Sequence, residues 1–335
     1  MTLYSRLDAG FAPLAAAIET GHIPGGVLGI VDGEGRRAVR AAGAAQTVPH
    51  RRAMREDTWF DLASLTKVIF TTPRILALAD TGVIDLDAPL TTLLPDLRQY
   101  DLNAWERRVT FRQCLGHQTP FPAVEPIYTY GRDPQLLRTF VLQREWRPGP
   151  PVYSDINYIL MGLGLERLEG RGIRDMDPGP GFAWSADPET AAATEDCTWR
   201  HRVLCGEVHD DNCAAFEGAG HAGLFGTVGS VLDFARGLLD GTGPSGKIIE
   251  LMRTPLSSRR THGWEHPYEG WSGGDHASPA TIGHTGFTGT GLWIDFQHGF
   301  AWTLLTNRIH PTRHFESGIV GLRRAVADGI NTALW

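Results

Sequence analysis

Cysteine is scarce in this chain. Four residues, Cys114, Cys197, Cys205 and Cys213, among 335 are too few for a disulfide scaffold. Long apolar runs are missing as well, so no segment offers the roughly 20 consecutive apolar residues of a membrane-spanning helix. Basic charge is not in excess. Lys and Arg number 31 against 38 Asp and Glu, a formal net charge of −7, and the cations are scattered apart from pairs such as Arg36-Arg37 and Arg51-Arg52. That excludes the footprint of a nucleic-acid or anionic-membrane binder. The start, Met1-Thr2-Leu3-Tyr4-Ser5-Arg6, has no basic region followed by an apolar one, so no secretory signal is visible. The expected compartment is cytoplasmic, or periplasmic or secreted if a signal has been removed. No internal repeat or low-complexity tract is evident.

What remains is ordinary globular composition, 42% hydrophobic and 21% charged, at a length that suits one large or two interleaved domains. Leu3, Leu7, Phe11, Leu14 and Ile18 recur at helical spacing, which predicts a helix over 3–20 closed by Gly21. Val27–Val31 and Arg37–Ala42 read as a hairpin around Asp32-Gly33-Glu34-Gly35. Residues 85–170 are helical between loops, and Asp155–Glu169 is apolar enough to be buried. Residues 175–222 read as a long irregular segment, the kind that often walls a site. Val228–Leu239 is helical again. Leu292–Phe296 and Ala301–Thr306 read as strands, and 318–331 as a final helix. The economical architecture is α/β (α+β): a sheet-plus-helix domain from residues 1–57 and 225–335, and a mainly helical domain from 58–224 inserted between them, with the site in the cleft.

Three motifs carry chemistry. In Phe60-Asp61-Leu62-Ala63-Ser64-Leu65-Thr66-Lys67, Ser64 and Lys67 share one face if Ser64 opens a helix. A serine hydroxyl needs a neighbouring base to become a nucleophile, and a lysine serves only if its pKa is lowered. The helix start also aims the Ser64 amide at a developing oxyanion. Mid-chain, Tyr153-Ser154-Asp155 places a phenol that can exchange a proton with a serine and a leaving group. Late in the chain, Gly283-His284-Thr285-Gly286-Phe287-Thr288-Gly289-Thr290 leads into a strand whose edge can pair with a substrate chain, with the Phe287 amide as a second oxyanion donor. Three cysteines with His201 and His209 recur every four residues from 197 to 213, but Gly206, Asp210 and Asp211 argue against one helix presenting them. The spacing fits no closed metal site. His117, His209, Asp210, Asp211, Asn212 and His221 either meet a substrate or tie loops down. Trp199, Trp264, Trp271 and Trp293 line a pocket or fill the core.

Ser-Leu-Thr-Lys, Tyr-Ser-Asp and His-Thr-Gly in this order resemble the serine β-lactamase and penicillin-binding-protein superfamily, within it the branch of class C β-lactamases, D-alanyl-peptidases and related esterases. The likeness covers nearly the whole chain, including Leu115-Gly116-His117-Gln118-Thr119, Gly220-His221-Ala222-Gly223-Leu224-Phe225 and Leu305-Thr306-Asn307-Arg308. It implies a β-lactamase-like fold and a serine hydrolase that forms an acyl-enzyme on Ser64. Lys67 matches the base partner, Tyr153 the proton shuttle, His284 the third catalytic motif, and the Ser64 and Phe287 amides the oxyanion hole. Asp155, Thr285, Gly286 and His117 are the implied substrate contacts. The substrate is a small molecule or peptide bearing an ester or amide, and no cofactor is required. β-Lactamase or D-alanyl-D-alanine carboxypeptidase activity is one alternative, and a sensor or ligand-binding pseudo-enzyme another. Two departures matter: Asp155 stands where many members carry asparagine, and His284 where many carry lysine. Both make the site less welcoming to anions, and a nearby Asp155 would charge His284.

Overall fold

The computed structural model describes residues 2–332; Met1 and residues 333–335 lie outside them. The strands are β1 (Gly25–Asp32), β2 (Arg37–Gln46), β3 (Arg52–Ala53), β4 (Phe60–Asp61), β5 (Phe182–Ala183), β6 (Ala193–Cys197), β7 (Arg202–Cys205), β8 (Phe225–Gly226), β9 (Thr281–Thr285), β10 (Thr290–Asp295) and β11 (Phe300–Thr306). The α-helices are α1 (Leu3–Glu19), α2 (Thr72–Asp80), α3 (Phe111–Leu115), α4 (Pro134–Gln143), α5 (Asp155–Glu169), α6 (Asp211–Ala215), α7 (Val228–Asp240), α8 (Gly246–Arg253) and α9 (Ile319–Asn331).

The main sheet runs β3-β2-β1-β11-β10-β9, antiparallel throughout. It is built from both ends of the chain, with β1 from the N-terminal part beside β11 from the C-terminal part. The continuous apolar run of β1 fits that central place, because both faces are covered. On one face α1 and α9 enclose Leu28, Ile30, Trp293 and Trp302. On the other lies α7, close enough to β1 that a Cβ on Gly29 would stand 2.5 Å from Val228. Trp264, Trp271 and Trp293 are fully buried and belong to the core, whereas Trp199 is exposed.

The inserted part is mainly helical. The buried α5 begins at Asp155 and ends on Gly170 in the left-handed conformation, as a glycine cap should. Several elements differ from the sequence reading. The 175–222 segment contains β5, the β6–β7 hairpin and α6. Its strands are short and its polar residues pair locally, so no period shows. Pro73, inside the apolar run after Lys67, starts a new helix, one of the two outcomes a proline there allows. It sits in the first turn of α2, after a π-helical turn at Lys67–Thr71, where its missing N–H costs little. The glycine-threonine stretch read as a lead into a strand includes a strand of its own, β9, at the sheet edge. A small sheet, β4-β8-β5, binds the nucleophile segment to residues 225–226.

His310 is buried, and its Nε2 accepts the Thr47 amide at 2.8 Å. Burial lowers its pKa to about 4. The unfolded chain protonates this ring near its ordinary value of about 6.5, so the stability it contributes is present above that pH and is lost as pH falls toward 4. His117, His262 and His284 are shifted in the same direction. Urea unfolding at pH 7, 6 and 5 should show falling stability. His310→Gln, which keeps an acceptor for Thr47, should lessen that loss by up to about 1.4 kcal/mol per pH unit.

Candidate active site

Ser64 follows β4 in a tightly held turn. Ala63 adopts φ 47°, an uncommon left-handed conformation for a residue with a side chain. It is held there because Asp61 Oδ1 accepts its amide at 2.8 Å and Thr66 Oγ1 donates to its carbonyl at 2.7 Å. Asp61 Oδ2 accepts the His209 amide at 2.7 Å, and burial raises the pKa of this carboxyl despite both bonds. Leu65, Thr66 and Lys67 donate to the carbonyls three residues back, so Ser64 and Lys67 meet as their spacing predicts.

Lys67 is fully buried. Its Nζ donates to Ser64 Oγ at 2.9 Å and to the His221 carbonyl at 3.0 Å, and pairs with Asp155 Oδ1 at 2.8 Å. Two hydrogen-bond acceptors and one carboxylate in ion-pair contact surround the nitrogen. Burial alone would lower the lysine pKa, but the Asp155 carboxylate in contact with Nζ outweighs it and raises it. A lysine base with a lowered pKa, as the sequence reading requires, is not the resting state.

Tyr153 sits beside this cation, with Nζ 5.2 Å from its ring centre. Burial raises the phenol pKa; Lys67 and the Ser64 hydroxyl pull it back only in part. The His117 and His284 rings flank Tyr153 at centroid distances of 4.4 and 5.9 Å. His117 Nδ1 accepts the Ser154 amide at 3.1 Å, so its Nε2 bears the proton. His284 is the opposite tautomer: its Nδ1 donates to the Thr285 carbonyl at 3.0 Å, leaving an Nε2 lone pair. Both Nε2 atoms are buried without a partner among the described residues. Burial, then the Arg260 and Lys67 charges, drives both pKa values well down. The expectation that Asp155 would charge His284 therefore fails, because Asp155 is committed to Lys67.

Arg260 had no motif to announce it. Its guanidinium carbon lies 4.9 Å from the Tyr153 ring centre, and it pairs with Glu265 at 3.0 Å. Its Nη1 is buried without a partner among the described residues. A cation thus stands in the cleft although the third motif lacks lysine. Only an Arg–Glu pair five residues apart, shortly before the third motif, could have flagged it.

The 286–290 loop is fastened to the nucleophile turn. Thr288 Oγ1 donates to the Asp61 carbonyl at 2.8 Å and Thr290 Oγ1 to that of Leu62 at 3.0 Å. From α9, the buried Arg323 donates to the carbonyls of Gly286 and Thr290, and burial lowers its pKa to about 9. Among the described residues neither the Ser64 nor the Phe287 amide donates a hydrogen bond. Both are free for an oxyanion. Thr285 ends β9, whose outer edge pairs with Glu265 only at Gly283.

The remaining polar residues tie loops. His209 pairs with Glu195 at 2.9 Å and stacks on Phe287. Asp210 caps α6 and bonds the His221 ring at 2.9 Å. Asp211 pairs with Arg200, and Asn212 bonds the backbone of Glu125 and Tyr128. The cysteines of the 197–213 series go separate ways: Cys213 donates to the Ala222 carbonyl, Cys205 lies against Arg52, and Cys197 accepts the Arg200 amide.

A serine with an adjacent buried lysine, a tyrosine beside both, and two free amides define the class of acyl-transfer enzymes that work through a serine ester. The sequence profile of the Beta-lactamase family matches residues 11–326, and the chain belongs to that family as a serine hydrolase. It is 26% identical to an N-acetylmuramyl-L-alanine amidase of Bacillus subtilis, over 86% of this chain and 78% of that one. A β-lactamase from Sulfitobacter sp. EE-36 superimposes with a TM-score of 0.75 at 19% identity, covering 100% and 99% of the two chains. The simvastatin synthase of Aspergillus terreus superimposes at 0.73 with 19% identity, covering 98% of each. These two structures share the fold.

Gly286 permits the fastening of the two loops. A Cβ there would meet Thr290 Oγ1 at 2.1 Å and the Leu62 carbonyl at 2.6 Å. Gly286→Ala should cost roughly 1–3 kcal/mol in urea unfolding. By displacing the Ser64 turn it should slow labelling of Ser64 by a fluorophosphonate about 100-fold.

Proposed function

We propose that the protein hydrolyses an ester or amide of a small molecule or short peptide by acylating Ser64. The observation that carries this reading is the contact of Lys67 Nζ with Ser64 Oγ beside two unused amides. The ammonium orients the hydroxyl, the Ser64 and Phe287 amides receive the carbonyl oxygen, and the Tyr153 phenol gives a proton to the leaving group. Water then releases the acid. A scissile amide is supported by the amidase relative, and the open part of the β9 edge suits a peptide backbone. β-Lactams are the weaker substrates, because His284, kept neutral by burial, offers no charge to their carboxylate where many family members carry lysine.

The test is a panel of short-chain aryl esters, a chromogenic cephalosporin, a D-alanyl-D-alanine peptide and muramyl peptides, read by mass spectrometry. One class should be cleaved, with Ser64→Ala lowering the rate by about 10³-fold or more. Cleavage that persists in Ser64→Ala would remove Ser64 as nucleophile. A protein that leaves the whole panel intact and resists a fluorophosphonate would be a binding module.

A further inference from the structure

We infer that Asp155 is the proton acceptor of the resting site, reached from Ser64 through Lys67. The inference rests on the proposed acylation of Ser64. Lys67 Nζ faces Ser64 Oγ at 2.9 Å, the His221 carbonyl at 3.0 Å and Asp155 Oδ1 at 2.8 Å. The carboxylate 2.8 Å from the buried Nζ is the counter-charge of an ammonium. That ammonium has no lone pair for the Ser64 proton. Tyr153 is a phenol with its proton in place, since burial raises its pKa. His117 and His284 stand across the Tyr153 ring and make no hydrogen bond to Ser64. Asp210 is bonded to the His221 ring, and Arg260, the other cation here, is paired with Glu265. The carboxylate touching Lys67 is that of Asp155.

The step balances. As the bond from Ser64 Oγ to the acyl carbon forms, the Ser64 proton passes to Lys67 Nζ while Lys67 passes one of its own to Asp155 Oδ1. Lys67 remains an ammonium and Asp155 becomes a carboxylic acid. When the acyl bond to the leaving group breaks, that group takes the Tyr153 proton. Asp155 then restores it through Lys67. Asp155 is a positioning residue in this scheme, acting on the serine only through lysine. Its place at the first residue of α5 holds it rigidly against Lys67, and its side chain is 19% exposed, so bulk water competes little. Asparagine at this position could not accept the proton.

The rate of Ser64 phosphonylation by a fluorophosphonate, followed by mass spectrometry from pH 6 to 10, needs no knowledge of the substrate. With Asp155 as acceptor, the native protein reacts at a rate that is level from neutral to alkaline pH. Asp155→Asn is then slower by about 100-fold throughout that range, and Asp155→Glu recovers part of the loss. The opposite outcome is as definite. If Asp155 only balances charge, the native rate climbs with pH as Lys67 deprotonates. Asp155→Asn, which frees Lys67 to lose its proton sooner, then becomes the faster protein at neutral pH. Should Asp155→Asn fail to fold, a proton inventory of the native reaction decides. Two protons moving together give a curved dependence on deuterium fraction, and a straight line overturns the relay. Absence of labelling in the native protein would instead refute the acylation of Ser64, a separate failure.

Discussion

A lysine ammonium sealed from water organises the molecule. Burying an isolated charge costs several kcal/mol, and only close counter-charges and hydrogen bonds make it tolerable. Among the partners of Lys67, Ser64 lies one turn away, after β4, whereas Asp155 comes from the start of α5 and the His221 carbonyl from the loop before β8. None can move without exposing an unpaired group. The charge therefore fixes the relative positions of segments about 90 and 150 residues apart in the chain. The cavity it needs is closed by aromatic rings, with Tyr153 and Tyr158 at 5.2 and 5.7 Å from Nζ.

The second constraint comes from the end of the chain. Arg323, on the helix that covers the far face of the sheet, reaches to the carbonyls of Gly286 and Thr290. Those residues grip the Asp61–Leu62 backbone through Thr288 and Thr290. The oxyanion pocket thus depends on α9 as much as on the serine turn, since its two amides sit on opposite sides of this fastening. Ala63, in its left-handed conformation, is the strained link. Such a conformation persists because four hydrogen bonds around Asp61, Thr66 and Leu224 over-determine it.

What could be read from the sequence follows the range of the interactions. Ser64 and Lys67 meet because a turn brings positions three apart together, and β1 announces itself by an apolar run that only a covered strand tolerates. The order of the elements, with strands from both ends around a helical insertion, was legible for the same local reasons. β9 was not, because glycine and threonine carry little strand signal when neighbours supply the packing. The β6–β7 hairpin hid behind polar residues that pair with each other, such as Glu195 with His209. Protonation states were beyond reach altogether. Whether Lys67 is a base or an ammonium depends on Asp155, 88 positions away, and the neutrality of His284 depends first on its burial and then on Arg260 and Lys67 rather than on its own motif.

The two departures in the motifs and the unannounced arginine form one electrostatic arrangement. Asp155 neutralises Lys67, and Glu265 neutralises Arg260, while His284 carries no charge. A cleft whose cations are already paired gains less from an incoming carboxylate than one with a free ammonium, because that carboxylate must share a partner after losing its own water. Around the Tyr153 ring, Arg260 Nη1, the donor Nε2 of His117 and the acceptor Nε2 of His284 are each buried without a hydrogen-bond partner among the described residues. A buried polar group left unpaired costs about 1–3 kcal/mol, which the packing around Tyr153 has to offset.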